Sequence, residues 1–94
     1  MRIADMVLVG QAGIVTALDG GTGRTIWQKD LGAIEGCSGC RGQEVAIHLF
    51  RAHALLAACA GNLFCLDASS GNVKWHRDLR SRGNGGTSIA ALLK

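Results

Sequence analysis

Cysteines and histidines are the residues of this 94-residue chain with the clearest potential for chemistry. Cys37 and Cys40 have the C-x-x-C spacing that can bind zinc or act as a redox pair. A zinc site needs two further ligands, and Cys59 and Cys65 are available, although there is no second C-x-x-C pair. The alternative is a glycine-rich loop with two unconnected thiols or an incidental disulfide. Cys37 and Cys40 are therefore weak candidates for a metal site, and no metal is predicted.

No catalytic residue can be assigned from the sequence. His48, His53 and His76 are scattered along the chain and indicate neither a catalytic triad nor a set of metal ligands. The glycine-rich segment 20–23 joins two predicted strands, whereas a phosphate-binding loop has to open a helix. We therefore predict a binding function in preference to an enzymatic one.

The elements that position these residues come from an internal duplication. Residues 13–32, GIVTALDGGTGRTIWQKDLG, align without gaps with residues 61–80, GNLFCLDASSGNVKWHRDLR, 48 positions later. A period of about 20–50 residues is typical of solenoids and propellers. The identical pairs are Gly13/Gly61, Leu18/Leu66, Asp19/Asp67, Gly23/Gly71, Trp27/Trp75, Asp30/Asp78 and Leu31/Leu79.

Each copy predicts three short strands joined by two turns, which is an antiparallel meander. Two more strands are predicted at Val45–Phe50 and Ser88–Leu93, each after a glycine-rich linker. One four-stranded unit is then complete, and the other is split between the two ends of the chain. The remaining predicted strands are Met6–Val9, Ile14–Leu18 and Thr25–Lys29 in the first copy, and Leu55–Cys59, Leu63–Leu66 and Val73–Arg77 in the second.

The turn residues of the repeat have structural explanations. Gly13 and Gly61 lie in tight first turns, where glycine supplies the positive φ that such hairpins need. In the second turn, the carboxylate of Asp19 or Asp67 can accept hydrogen bonds from the backbone of its own turn, and the glycine four residues later closes the loop. Neither aspartate is needed for chemistry.

Composition limits the classes of function. Hydrophobic residues make up 48% of the chain and charged residues 18%, which excludes disorder. The net charge is only +3, and the basic cluster after the second copy lacks interleaved aromatic residues, so nucleic acid is not a predicted partner. No apolar stretch approaches the roughly 20 residues that span a bilayer, and no signal peptide is evident. The expected location is cytoplasmic, or periplasmic or secreted if the chain is a piece of an exported protein.

The pattern Ala/Cys-Leu-Asp-x-x-Thr/Ser-Gly-x-x-x-Trp resembles the repeat of the PQQ-like (quinoprotein-type) β-propellers. The resemblance implies an all-β fold of two four-stranded antiparallel propeller blades in a single domain, 1–94. Blade 1 has strands within 6–30, blade 2 spans 43–79, and a closing strand lies at 87–93. It also implies that the small residue before Leu-Asp is buried and that the tryptophan packs between neighbouring blades. The blade motif comprises Ala17, Asp19, Gly23, Trp27, Cys65, Asp67, Gly71 and Trp75.

The resemblance leaves the ligand open. PQQ-dependent dehydrogenases of this fold hold a quinone with calcium, often beside a disulfide of adjacent cysteines, and this chain has no Cys-Cys pair. Many relatives bind no quinone and serve as protein-binding platforms. No cofactor is therefore predicted, and PQQ with calcium is implied by analogy only.

Two blades cannot close a propeller, which has about four to eight. Three or four copies could form a ring in which Ser88–Leu93 of one chain completes the first sheet of the next. Alternatively, the chain is part of a longer propeller. The expected function is a non-catalytic scaffold or binding module for an unidentified protein or small molecule. A fragment of a quinoprotein dehydrogenase and an oligomeric sugar-binding protein are the alternatives.

Overall fold

A computed structural model describes residues 5–51 and 53–79 of the chain. The first sheet contains β1 (Met6–Gln11), β2 (Ile14–Asp19) and β3 (Thr25–Asp30), in that order. The second contains β4 (Ala46–Arg51), β5 (Ala54–Cys59), β6 (Asn62–Asp67) and β7 (Val73–Asp78), also in chain order. All neighbouring strands are antiparallel. The prediction of an all-β fold is confirmed, and the predicted closing strand lies outside the described residues.

Two-residue hairpin turns set the register of β1 with β2 and of β5 with β6. Ala12 and Gly13 have φ angles of 54° and 78°, and Ala60 and Gly61 have 48° and 80°. Two successive positive φ angles match the right-handed twist of the flanking strands. The sequence indicated this conformation for the glycines, and the structure shows that the preceding alanines adopt it as well.

The second turn of each sheet is held by its aspartate. The Oδ1 atom of Asp19 accepts a 2.8 Å hydrogen bond from the N–H of Gly21, and Oδ1 of Asp67 accepts one of 2.8 Å from the N–H of Ser69. Next to both turns the strand register shifts, between Ala17 and Leu18 and between Cys65 and Leu66. The duplication in sequence is therefore a duplication in local structure.

The core lies between the two sheets. Val15 of β2 is completely buried in one cluster with Leu55, Phe64 and Leu66 of the second sheet. Because side chains alternate along a strand, Leu56 of β5 lies on the other face, in a smaller cluster with Ala54 and Cys65. The first sheet thus covers one face of the second.

The linker between the sheets folds back onto the first hairpin. It contains two short 3₁₀ turns, Leu31–Ala33 and Ser38–Cys40. The N–H of Gly13 donates to the carbonyl oxygen of Gln43 at 2.7 Å, and that of Gly42 donates to the carbonyl oxygen of Ala12 at 3.2 Å. These bonds hold the glycine-rich linker against the end of the core.

Candidate functional site

The contact between the sheets is organised around Trp27, at the middle of β3. Its indole Nε1 donates a 2.8 Å hydrogen bond to the carbonyl oxygen of Ala68, in the β6–β7 turn. The ring lies on Gly71 of the same turn, where an added Cβ would be only 2.5 Å from Cε3. Gly71 also has a φ of +79°. Glycine is therefore required there by conformation and by space.

Trp75 holds the equivalent position in the second sheet but is 42% exposed. It pairs with Cys65 across the β6–β7 ladder, as Trp27 pairs with Ala17 across β2–β3. Among the described residues, none accepts a hydrogen bond from its indole N–H. Trp75 thus has the position from which Trp27 contacts the next sheet, but no described residue takes the place of that sheet.

Within the described residues, the matching turn of the first sheet is open. Gly23 has a φ of +77°, close to that of Gly71, yet no atom of the described residues lies within 4 Å of the place a Cβ would take. Gly20 is the equivalent of Ala68, and both donate their N–H to a backbone carbonyl oxygen just before the neighbouring strand, at 2.7 and 2.9 Å. A cavity of about 390 Å³ beside this turn is lined by Asp5, Met6, Val7, Gly20 and Gly21.

The strands next to the two turns also differ in how deeply their side chains are buried. Val7 of β1 is 48% exposed, whereas its equivalent Leu55 is completely buried. Val9 is 36% exposed, and its equivalent Ala57 is completely buried. The difference arises because the first sheet covers the second and no described residue covers the first. We call the face of the first sheet with Val7, Val9 and Gly23 the open face. The outer face of the second sheet, with Trp75, is called the tryptophan end.

Hydrogen bonds within the turn change the pKa of Asp67. The hydroxyl of Ser69 donates a 2.6 Å hydrogen bond to Oδ1 of Asp67. This bond first, and the backbone N–H of Ser69 second, lower the pKa of the Asp67 carboxyl.

A lowered pKa in the folded state stabilises the fold above the carboxyl's unfolded pKa of about 3.9, and the effect is lost as the pH falls through the folded pKa. We therefore expect Asp67→Asn to be less stable than the natural chain at pH 7, by an amount that shrinks below about pH 4. Urea unfolding at pH 7 and at pH 3 measures both differences. Ser69→Ala, which removes the first-named donor, should reproduce part of the pH effect. An Asp67→Asn deficit that does not change with pH would contradict this account.

A group of thiols lies at the other end of the core. Cys37, Cys40 and Cys59 are completely buried. The thiol of Cys40 donates to the carbonyl oxygen of Cys59 at 3.2 Å, and the thiol of Cys59 donates to that of Cys40 at 3.7 Å. Burial, as the largest effect, raises the pKa of the Cys59 thiol. The linker turn and the end of β5 therefore meet through their cysteines.

His76 joins this group from β7. Its Nε2 lies 3.6 Å from the sulfur of Cys37 and 2.9 Å from Oδ1 of Asn62. Its ring stacks on Phe64, with centroids 4.7 Å apart and an angle of 10° between the planes. Nδ2 of Asn62 donates to the carbonyl oxygen of Ala60 at 3.4 Å, so Oδ1 is the acceptor and Nε2 carries the proton. The sequence placed His76 in no ligand set, and the structure adds a contact with Cys37 that the sequence did not indicate.

The other candidate residues are placed as follows. Ala17 is completely buried, and Cys65 is 2% exposed at the equivalent position. His48 and His53 are exposed and lie apart from the thiols. In residues 5–51 and 53–79, no group of three or more His, Cys, Asp and Glu side chains could hold a metal ion. The zinc interpretation of Cys37 and Cys40 thus gains no support from their surroundings.

Two antiparallel sheets in chain order, packed face to face through a tryptophan, are adjacent blades of a β-propeller. The chain belongs to the PQQ_2 family, that of outer membrane protein assembly factor BamB. The family model matches residues 3–93. The resemblance to PQQ-like propellers is confirmed. No helix among the described residues is long and apolar enough to cross a membrane.

Two solved structures are similar to the chain. BamB from Moraxella catarrhalis matches 78% of it with 25% identity and a TM-score of 0.59. Quinohemoprotein alcohol dehydrogenase from Comamonas testosteroni matches 86% with 27% identity and a TM-score of 0.64. The chain covers only 20% of the first protein and 13% of the second. No curated protein is significantly similar.

Proposed function

We propose that the chain is a two-blade unit of a non-catalytic β-propeller that serves as a protein-binding scaffold. The propeller closes when the tryptophan end of one copy docks on the open face of the next, in a ring of three or four copies. The observation that carries this proposal is the Trp27 contact, because each of its two halves recurs at one end of the pair of blades, where no described residue fills it.

The proposed contact can be specified atom by atom. Nε1 of Trp75 would donate to the carbonyl oxygen of Gly20 in the next copy, as Trp27 does to Ala68 within the chain. The indole would lie on Gly23, whose φ and open surroundings suit it. Val7 and Val9 would become buried as their equivalents in β5 are, and a tryptophan buries about 150–250 Å² in such a contact. In the sheet of blade 1, β1 has β2 as its one described neighbour, so a further strand can pair along its other edge.

A scaffold role is supported by the family. Its description names an assembly factor for outer membrane proteins, and one similar structure is a BamB. By that analogy the partner of the closed propeller is a protein chain, and the site of action is outside the cytoplasm at the outer membrane. The alternative is that the remaining blades belong to the same longer polypeptide. The open face and the tryptophan end would then each contact another blade of that polypeptide.

Light scattering after size-exclusion chromatography tests the ring directly. We expect three or four times the mass of one chain for the natural protein, and a monomer for Trp75→Ala, because the docking side chain is lost. Lys74→Ala is the matched control: Lys74 is exposed, next to Trp75 on β7, and points to the other face of the sheet. A natural chain that is monomeric at all concentrations would overturn the ring and leave the longer propeller.

A quinoprotein fragment is the second candidate, since the chain also matches a quinohemoprotein alcohol dehydrogenase. Titration of the assembled protein with PQQ and calcium distinguishes the two functions. Saturable binding of the quinone that depends on calcium would favour the dehydrogenase type over the scaffold.

A further inference from the structure

We infer that Cys40 and Cys59 form a reversible disulfide that fastens the linker to blade 2. The inference is independent of how the propeller closes. It rests on the convergence of three buried thiols, two from the linker turn and one from the end of β5.

The backbone brings Cys40 and Cys59 side by side. Each thiol reaches the backbone carbonyl oxygen of the other residue, at 3.2 and 3.7 Å, so both side chains occupy the space between the two chain segments. The two thiols also interact directly, since the Cys40 side chain lowers the pKa of Cys59 against the larger effect of burial. A disulfide requires two cysteines whose backbones lie close together, and these contacts bring the two residues close.

Cys37 has other contacts. Its thiol donates to the carbonyl oxygen of Glu35 at 3.8 Å, and its sulfur lies 3.6 Å from Nε2 of His76. The pairing is therefore assigned to Cys40 and Cys59, whose sulfurs each contact the backbone of the other residue.

The reaction balances as thiol–disulfide exchange with a small disulfide such as oxidised glutathione. The Cys40 thiolate attacks it, forms a mixed disulfide and releases one glutathione thiolate. The Cys59 thiolate then attacks the sulfur of Cys40 and releases the second glutathione thiolate. In total, two protein thiols lose two electrons and two protons, and oxidised glutathione becomes two molecules of the thiol.

The consequence is a stabilised connection between the blades. A cross-link between positions 40 and 59 closes a loop of about 20 residues, and a loop of that size restricts the unfolded chain substantially. For a domain of this size we expect the melting temperature of the oxidised protein to rise by about 10 °C over the reduced protein.

The folded protein is treated with oxidised glutathione, and the remaining thiols are alkylated and counted by mass spectrometry. We expect two thiols to be lost, a Cys40–Cys59 cross-link in the peptide map, and a higher melting temperature. Cys65→Ala, on the other face of blade 2 and matched to Ala17 of blade 1, should behave like the natural chain.

Two variants test the pairing. Cys59→Ala should form no protein cross-link at Cys40 and should lose the temperature shift. Cys37→Ala should form the same Cys40–Cys59 cross-link as the natural chain. A peptide map of the natural chain that shows Cys37–Cys40 instead, or four thiols retained, would overturn the proposed pair. The peptide map needs only the natural chain, so it decides the pairing even if Cys59→Ala fails to fold.

Discussion

Replacing Trp27 by alanine is expected to lower the free energy of unfolding by about 3 kcal/mol, near the lower end of the range for large aromatic residues in protein cores. The lower end applies because Trp27 is only partly buried. The change removes the ring from Gly71, removes the hydrogen bond to Ala68 and leaves a gap between the two sheets. Urea unfolding followed by circular dichroism measures the loss.

Trp75→Ala is the matched control for that experiment, because the two tryptophans hold the same position in the two sheets. In dilute, dissociated chain its cost should stay below about 1 kcal/mol, since an exposed side chain has little packing to lose. At concentrations where the natural chain is assembled, the cost should approach that of Trp27→Ala, because the variant does not assemble. A Trp27→Ala loss below about 1 kcal/mol would show that the sheets are held together without this contact.

Gly71→Ala is expected to cost about 3 kcal/mol. A left-handed φ of +79° costs an alanine about 1–2 kcal/mol, and a Cβ at 2.5 Å from Cε3 of Trp27 forces the ring away, which adds a typical overpacking penalty of about 1–3 kcal/mol. Gly23→Ala has the same conformational cost at φ +77° but meets no described atom within 4 Å, so about 1–2 kcal/mol is expected.

The difference in unfolding free energy between these two alanine variants separates the effect of the ring contact from that of the backbone conformation. Equal losses for Gly71→Ala and Gly23→Ala in the dissociated chain would contradict the contact on Gly71. In the assembled ring, Gly23→Ala should become as costly as Gly71→Ala, because an indole from the next copy would then occupy the same space. The pair therefore reports on assembly as well as on stability.

Most of the fold could be predicted because its signals are local. The strand Ile14–Leu18 was predicted from an apolar run that ends at Asp19, and the observed β2 extends by one residue to that aspartate. The turns were predicted because aspartate and glycine have turn preferences that hold without tertiary context. The predicted strand Val45–Phe50 is observed as Ala46–Arg51, one residue later.

The surroundings of the linker could not be predicted in this way. Its glycines indicated an irregular loop, and nothing local showed that Cys37 and Cys40 would be completely buried. Burial results from hydrogen bonds between the linker and the turn of the first hairpin, which are long-range contacts. The side on which His76 lies could have been inferred, since alternation along β7 points it away from Trp75, but its contact with Cys37 spans 39 positions.

The repeat is evident in the sequence, and it gives the strands, the turns and the equivalence of Trp27 with Trp75. These are properties of short segments, because backbone conformation and side-chain alternation depend on near neighbours. Within the described residues, tertiary packing covers one tryptophan and leaves the other exposed, fills one glycine turn and leaves the other open, and brings three cysteines together. Those outcomes depend on which surfaces pack together, and similar local sequences have different surroundings when a described sheet covers the given side of one blade and not of the other.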